Sequence, residues 1–257
     1  MGKLEGKVAI VSGASSGLGF ADAQVMAREG AKVVMFARNE ENILAAGQKL
    51  LDEGLDVLAL SADATIDDDW QRVLSATLAK YGQLDVLVNN AGNTTTRPFE
   101  EWNWLASGKL CREGWDECIE AIFWSQVKGI EACLPELRKT RGVIINNSSM
   151  TAVRTNPPIS AYACAKAAMR VFSKTLAAQL GPEGIRVNCV IPGWINSNLF
   201  PVDYLPEEVK APLLSQVKLD GRFGCAEEIG KVVAFLASDE ASYVTGEEIV
   251  VDGGFQL

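Results

Sequence analysis

Short, continuous apolar runs alternate with helical patterns along the whole chain, and this alternation constrains the fold more than any other feature. Strands without an exposed polar face are typical of parallel sheets that are covered on both sides. Repeated strand–helix units place helices on both faces of such a sheet. The chain is therefore predicted to form one doubly wound α/β sheet of about seven parallel strands. The predicted strands are Val8–Ser12, Lys32–Ala37, Asp56–Leu60, Val86–Asn89, Val143–Asn147, Arg186–Ile191 and Glu248–Val251.

Helical patterns fill most of the intervals between these strands, and no linker divides the chain, so residues 1–257 are predicted to form a single domain. Two longer connections, 93–114 and 194–220, begin where parallel strands end, on the side where open sheets bind ligands. Ordinary loop packing is one explanation of their aromatic residues; a substrate wall is the other. The predicted helices lie near 18–29, 40–53, 67–80, 115–139, 160–180 and 227–237, and the aromatic pocket candidates are Trp102, Trp104, Trp194 and Phe200.

Charge and cysteine content exclude several classes of partner. The net charge of −9 argues against a nucleic acid or an anionic membrane. No apolar run is long enough to span a bilayer, and the first residues enter a strand pattern without a signal peptide, so we expect a cytoplasmic protein. The six cysteines form no C-x-x-C pair and the chain has no histidine, so we expect free thiols and no metal site.

A glycine-rich turn follows the first strand, with the sequence SGASSGLG over residues 12–19. Small residues let the backbone approach a pyrophosphate, whose charge is met by the N-terminus of the next helix. The turn therefore predicts a Rossmann-type dinucleotide site. Its predicted cofactor contacts are Gly13, Ser15, Ser16, Gly17, Leu18 and Gly19.

The end of the second strand bears on which dinucleotide is bound. An acidic residue there would bond the 2′-hydroxyl of NAD, whereas an arginine can meet the 2′-phosphate of NADP. This chain offers Arg38, and the nearest carboxylate is Glu40 on the following helix. The sequence favours NADP(H) and leaves NAD(H) open. Asp63, with Ala64 beside it, is a candidate for accepting from the adenine amino group, or it is a loop or cap residue.

Tyr162 and Lys166 stand four residues apart in the pattern YACAK. Residues at this spacing share one face of a helix, so the pair is either a surface tyrosine with a neighbour or an acid/base group. Without histidine, proton transfer near neutral pH needs another side chain with a shifted pKa. An ammonium beside a phenol favours the phenolate, so we expect the pKa of Tyr162 to fall.

Several motifs together resemble the short-chain dehydrogenase/reductase family over essentially the whole chain. The glycine turn is similar to the family's TGxxxGxG, with Ser12 in place of threonine, and Ser149 precedes the YxxxK motif at the family's spacing. The other matching segments are Asn89–Gly92 (NNAG), Pro192–Gly193, Tyr243–Gly246 and Val251–Gly254.

The resemblance implies an NAD(P)-dependent oxidoreductase that moves hydride between the cofactor and a carbonyl/alcohol pair. It implies that Tyr162 is the acid/base, that Lys166 lowers its pKa and bonds the nicotinamide ribose, and that Ser149 polarises the substrate oxygen. It also implies a small-molecule substrate and a homotetramer or homodimer. The remaining cofactor contacts that it implies are Asn90, Ala91, Gly92, Pro192, Gly193, Ile195 and Ser197.

One family residue is replaced. The catalytic asparagine, which lies at a helix distortion and whose backbone helps to hold a water in a proton relay, corresponds here to Ile122. Three explanations stay open: the main-chain carbonyl keeps the relay, Gln126 or Ser125 supplies the polar group, or the physiological reaction has a different proton supply. The change and the long connection before it both predict an unusual or bulky substrate, with Ile122, Gln126 and Met150 as further pocket candidates.

Two alternatives to carbonyl chemistry follow from this replacement. One is reduction of an imine or an activated C=C bond, in which Tyr162 would protonate a different atom. The other is a non-redox isomerase or lyase, or a cofactor-binding scaffold, because a fold does not determine a function. The complete set of Ser149, Tyr162 and Lys166 argues against an inactive scaffold.

Overall fold

The computed structural model describes residues 2–92, 112–154, 160–197 and 202–257. Within these residues the strands are β1 (Val8–Ser12), β2 (Lys32–Ala37), β3 (Val57–Ser61), β4 (Val86–Asn89), β5 (Val143–Asn147), β6 (Arg186–Pro192), β7 (Ile195–Asn196), β8 (Gly224–Cys225) and β9 (Glu248–Val251). Seven of them form one parallel sheet in the order β3-β2-β1-β4-β5-β6-β9, and β7 and β8 form a separate parallel pair. The predicted single-domain, doubly wound fold is confirmed.

Helices follow most of these strands. The sequence boundaries are close to the observed ones, but the segment 194–220 is more than a connection, because it contains β7 and a helix that begins after Pro206. The predicted helix 115–139 begins earlier and is interrupted by a π-helical turn, Glu120–Trp124. The helices are α1 (Gly17–Arg28), α2 (Glu40–Asp52), α3 (Asp67–Tyr81), α4 (Arg112–Ile119), α5 (Ser125–Thr140), α6 (Ser160–Leu180), α7 (Glu207–Leu214) and α8 (Ala226–Ala237).

Two apolar layers enclose the sheet. Helices α1, α2 and α8 pack on one face and α3, α5 and α6 on the other, and alternate strand residues such as Val11 and Ile10 enter opposite layers. The third strand begins at Val57 instead of Asp56 because the ladder pairs Val33 with Val57. Within the described residues no helix is long and apolar enough to cross a membrane.

The strand order creates a crevice at one edge of the sheet. From β1 the chain continues outward through β2 and β3, whereas β4 lies on the other side of β1. At such a switch point the loops after the two strands diverge and leave room for a ligand at the carboxyl ends. The residues that end β1, β4 and β5 are Ser12, Asn89 and Asn147, so the motifs at these strand ends meet at one edge.

Asp22 is an exception within the apolar layers. It lies on α1, is fully buried, and neither carboxylate oxygen has a hydrogen-bond partner in the described part of the chain. Burial raises the pKa of the Asp22 carboxyl well above its ordinary value, because a charge is costly away from water. The native state therefore holds a proton that the unfolded chain has released above about pH 4.

We predict that Asp22→Asn gains stability relative to the unmodified protein as pH rises. Because the pKa of Asp22 is higher in the native state than in the unfolded chain, the contribution of Asp22 to the free energy of unfolding falls as pH rises from about 4 to the native pKa. The fall is up to about 1.4 kcal/mol per pH unit. Urea unfolding from pH 4 to 7 measures the difference in free energy of unfolding between Asp22→Asn and the unmodified protein. The control is Asp52→Asn at an exposed position, where no such pH-dependent gain is expected. A difference that stays constant over this range would contradict the burial of an unpaired carboxyl.

Candidate active site

A cleft of about 470 Å³ opens at the carboxyl edge of the sheet, over the crevice between β1 and β4. It runs from the end of β2, past the glycine turn, to the first turn of α6. Most residues that the motifs predicted for the cofactor line it. They are Gly13, Ser15, Ser16, Gly17, Leu18, Arg38, Asp63, Ala64, Asn90, Ala91, Gly92, Tyr162, Lys166 and Ser197.

The glycine turn has a backbone that larger residues would not allow. Gly13 and Gly17 have φ values of +66° and +60°, which L side chains rarely adopt. A Cβ on Gly13 would lie 2.9 Å from Ala91 Cα, and one on Gly19 would overlap the Asn90 amide and the Gly13 carbonyl. The turn thus presents bare backbone at the N-terminus of α1, and this cradle fits the pyrophosphate of a dinucleotide.

Ser12 connects the two strand ends beneath this turn. Its hydroxyl accepts hydrogen bonds from the backbone N–H groups of Asn90 (3.0 Å) and Ala91 (2.9 Å). In return, the Asn90 amide donates to the carbonyls of Ser12 (3.1 Å) and Gly13 (3.2 Å). The glycine motif alone predicts no structural role for Ser12. The available signal was a hydroxyl at the last position of a buried strand.

The end of β2 offers a positive charge to the cleft. Arg38 lines the cleft and is exposed, and Asn39 beside it caps α2 by accepting from the N–H of Asn42 at 2.8 Å. Asp63 also lines the cleft, but one of its oxygens accepts from the N–H and the hydroxyl of Thr65. Asp63 therefore acts as a loop residue, since the cap position of α3 is Ile66, and its role toward adenine stays a prediction.

The three predicted catalytic side chains come together near α6. Lys166 is buried, and its Nζ donates to the carbonyl of Asn147 at 2.7 Å and lies 5.8 Å from the centre of the Tyr162 ring. Ser149 follows β5, hydrogen-bonds Tyr162 and accepts from the Thr151 hydroxyl at 3.0 Å. The phenol and the amine therefore line one end of the cleft, and the Ser149 alcohol lies beside the phenol.

Burial controls the ionisation of this group. It lowers the pKa of Lys166 to about 8 and raises the pKa of Tyr162, while the hydrogen bond from Ser149 lowers the tyrosine pKa in part. The expected fall in the Tyr162 pKa is therefore wrong for the protein alone. The physical reason is that the loss of water on burial outweighs the hydrogen bond from Ser149.

The helix distortion survives where the family asparagine is replaced. Ile122 lies inside the π-helical turn, is fully buried, and packs with Cys118, Ala161 and Tyr162. Just before it, the Ala121 carbonyl accepts from the Ser125 hydroxyl at 2.8 Å, and Ala121 lines the cleft. The backbone distortion is thus present at this position, while the Ile122 side chain adds apolar surface beside Tyr162.

Other pocket candidates lie away from this cleft. Gln126 and Met150 are buried and do not line it, and Met150 packs in an apolar cluster with Trp194. Their polarity or size suggested a pocket, but tertiary packing places both in the interior. Trp102, Trp104 and Phe200 lie outside the described residues, as does most of the connection 93–114.

Four predicted cofactor contacts are not among the residues that line the cleft. Pro192 ends β6, and the N–H of Gly193 donates to Val251 at 2.9 Å. Ile195 pairs with Gly224 in the small sheet, and Gly19 lies beneath the turn. These residues support the wall that carries Ser197 and the glycine turn.

Comparisons with known proteins agree with this architecture. A family model described as enoyl-(acyl carrier protein) reductase matches residues 13–256. The 3-oxoacyl-(acyl-carrier-protein) reductase FabG of Thermotoga maritima is 37% identical over 258 residues, covering 99% of this chain and 100% of the relative. The 2,5-dichloro-2,5-cyclohexadiene-1,4-diol dehydrogenase LinX of Sphingobium indicum is 35% identical over 256 residues, covering 99% and 98%.

A second FabG, from Staphylococcus aureus, is 36% identical over 257 residues and covers 98% of both chains. These relatives are reductases and dehydrogenases of nearly the same length, and the match includes the glycine turn, the NNAG strand end and the Ser–Tyr–Lys group. The chain is an NAD(P)-dependent oxidoreductase and belongs to the short-chain dehydrogenase/reductase family.

Proposed function

We propose that the protein is an NADP(H)-dependent enzyme that interconverts a carbonyl compound and an alcohol, with Tyr162 as the acid/base. The observation that carries the proposal is that one cleft joins an exposed arginine and a glycine turn at one end to Tyr162 and Lys166 at the other, and that Ser149 hydrogen-bonds Tyr162. An elongated dinucleotide fits this arrangement, with its reactive end toward the tyrosine.

The chain's own groups handle the proton. In reduction, the Tyr162 hydroxyl gives a proton to the substrate oxygen, and in oxidation the phenolate takes it back. Ser149 donates a hydrogen bond to the same oxygen and orients the substrate. With a pKa of about 8, Lys166 can release and regain a proton near neutral pH. The chemistry that a bound nicotinamide supplies is hydride transfer.

The cofactor would be held along the cleft by residues already described. Gly13, Ser15 and Ser16 would face the pyrophosphate, and Arg38 would meet the 2′-phosphate of NADP. Asn90, Gly92 and Lys166 would hold the ribose that carries the nicotinamide. Ile195 and Ser197, with Pro192 and Gly193 before them, would face its carboxamide.

The substrate class is taken from both the site and the relatives. The relatives named above act on a 3-oxoacyl group or on a cyclic diol, so their names describe carbonyl or alcohol chemistry. The matching family model is named for an enoyl reductase, which acts on an activated C=C bond. A panel that contains a 3-oxoacyl thioester, a cyclic ketone and an enoyl thioester separates these activities by the loss of NADPH absorbance.

The proposal also covers assembly and location. A homotetramer or homodimer would cover Trp124 and Val171, two exposed apolar side chains on the π-helical turn and on α6. A cytoplasmic location agrees with the thiols of the described residues, which form no disulfide at Cys118, Cys133, Cys164, Cys189 and Cys225. Light scattering of the purified protein measures the assembly directly.

We expect Tyr162→Phe to lower kcat/KM for the best carbonyl substrate by about 10²–10⁴-fold, because the proton donor is removed. The dissociation constant for NADPH, measured by fluorescence, should change little. Tyr81→Phe is the matched control, since Tyr81 donates to Asp56, which directly precedes β3 at the opposite, amino end of the strands. Turnover retained in Tyr162→Phe would refute the acid/base assignment.

We expect Arg38→Leu to raise the dissociation constant for NADPH by about 10–100-fold and to leave that for NADH nearly unchanged. The reason is that only NADPH carries the phosphate that a charge-assisted hydrogen bond would meet, worth about 1.5–3 kcal/mol. Arg138→Leu, which breaks a distant surface ion pair with Glu183, is the control. An equal loss of affinity for both cofactors would argue against NADP preference.

We expect Ile122→Asn to lower the free energy of unfolding by roughly 2–4 kcal/mol, because it places an amide in an apolar cluster. Turnover should not rise, since the distorted backbone is already in place. Ile122→Val, which costs about 0.5–1.5 kcal/mol, is the control for lost packing. A large gain in kcat for Ile122→Asn would show that the side-chain amide matters for proton supply.

A further inference from the structure

Arg170 lies on the same face of α6 as Tyr162 and Lys166, one helical turn beyond the lysine. Its guanidinium makes two short contacts in different directions. One amino group donates to the Ala152 carbonyl at 2.7 Å, and the other donates to the Glu248 carboxylate at 2.6 Å. The side chains of Arg170 and Glu248 are only 22% and 17% exposed, so this ion pair is largely shielded from water. The proposed mechanism uses neither residue.

Ala152 closes the short 3₁₀ turn Met150–Ala152, which Ser149 begins. The N–H of Ala152 donates to the Ser149 carbonyl at 3.0 Å. Within the same turn, the Thr151 N–H and hydroxyl donate to the Ser149 hydroxyl oxygen at 3.3 and 3.0 Å. Since the hydroxyl oxygen accepts from Thr151, its own proton is free to point toward Tyr162 or a substrate oxygen. A residue that fixes this turn therefore fixes where the Ser149 proton points.

Glu248 fixes the guanidinium in turn. It lies on β9, the last strand of the sheet, where it is in register with Cys189 of β6. The hydrogen bond from Arg170 holds the pKa of the Glu248 carboxyl below its usual range, so the pair stays charged at neutral pH. A continuous set of contacts thus runs from the sheet through the Glu248 carboxylate and the Arg170 guanidinium to the Ser149 turn.

We propose that Arg170, held by Glu248, is a positioning residue that sets the placement of Ser149 relative to Tyr162. The helix α6 carries Tyr162 and, two helical turns later, Arg170, which hydrogen-bonds the turn that carries Ser149. A planar guanidinium suits this task, because it holds two acceptors in fixed directions where a lysine presents a single point charge. The inference rests on the proposed function, in which Ser149 and Tyr162 share one substrate oxygen.

The test compares Arg170→Met and Arg170→Lys with the unmodified enzyme. Arg170→Met should lower kcat by about 10–100-fold, the scale of a small misplacement of a catalytic group, with little change in the dissociation constant for NADPH. Arg170→Lys should recover only part of the loss. Hydrogen exchange of backbone amides in residues 149–154 should accelerate in Arg170→Met and in Glu248→Gln, and this readout does not depend on activity.

A double-substitution cycle distinguishes positioning from general stability. In a Ser149→Ala background, Arg170→Met should cause no further loss of kcat, because the group that it positions is gone. Lys174→Met is the matched control, since Lys174 pairs with the same carboxylate at 3.2 Å and is 57% exposed. An equal loss of kcat in both backgrounds, or unchanged exchange in residues 149–154, would overturn the proposal.

Tyr162→Phe, measured in parallel, separates failure of this inference from failure of the proposed function. If Tyr162→Phe abolishes turnover and Arg170→Met does not change it, only the positioning role is wrong. If Tyr162→Phe keeps its turnover, the acid/base assignment is wrong, and the positioning role that depends on it is overturned as well.

Discussion

The site depends on one chain of hydrogen bonds that crosses the carboxyl ends of three neighbouring strands. The Ser12 hydroxyl accepts from the backbone of Asn90, and the Asn90 side chain accepts from the Asn147 amide at 2.8 Å. The Asn147 carbonyl then accepts from Lys166 at 2.7 Å. The chain thereby connects the glycine turn, where a cofactor phosphate would lie, to the helix that carries the tyrosine. Because these polar groups are largely buried, the loss of any one of these hydrogen bonds would lower the stability of the fold. The chain of hydrogen bonds therefore holds the two ends of the cleft at a fixed separation.

Burial has the larger effect on the ionisation of the tyrosine–lysine pair. The removal of water raises the pKa of Tyr162 and lowers that of Lys166, and the favourable contribution to the phenolate is the hydrogen bond from Ser149. A hydrogen bond acts only at short range and in a suitable direction, so its effect depends on where the Ser149 turn is held. The hydrogen bonds that join Arg170 to Ala152 and to Glu248 therefore bear on the pKa of Tyr162, although neither Arg170 nor Glu248 takes part in the proposed proton transfer.

The replacement at Ile122 separates what a backbone contributes from what a side chain contributes. The π-helical turn forms without an asparagine, and Ala121 within it lines the cleft, so the local distortion does not depend on an asparagine side chain. The isoleucine side chain instead joins an apolar cluster with Cys118 and Ala161. An apolar neighbour increases the desolvation of Tyr162, so isoleucine at position 122 affects both the packing of the site and the pKa of Tyr162.

The sequence by itself determined the doubly wound sheet, the glycine turn and the Tyr–Lys spacing, because each follows from a local pattern or from periodicity. Only the tertiary structure decided the direction of the Tyr162 pKa shift and the burial of Gln126 and Met150. It also decided the hydrogen bond that the Asn90 backbone N–H donates to the Ser12 hydroxyl. Arg170 and Glu248 likewise meet across 78 residues of chain. Burial and long-range contact depend on how helices and strands from distant parts of the chain close around each residue, and no local pattern carries that information.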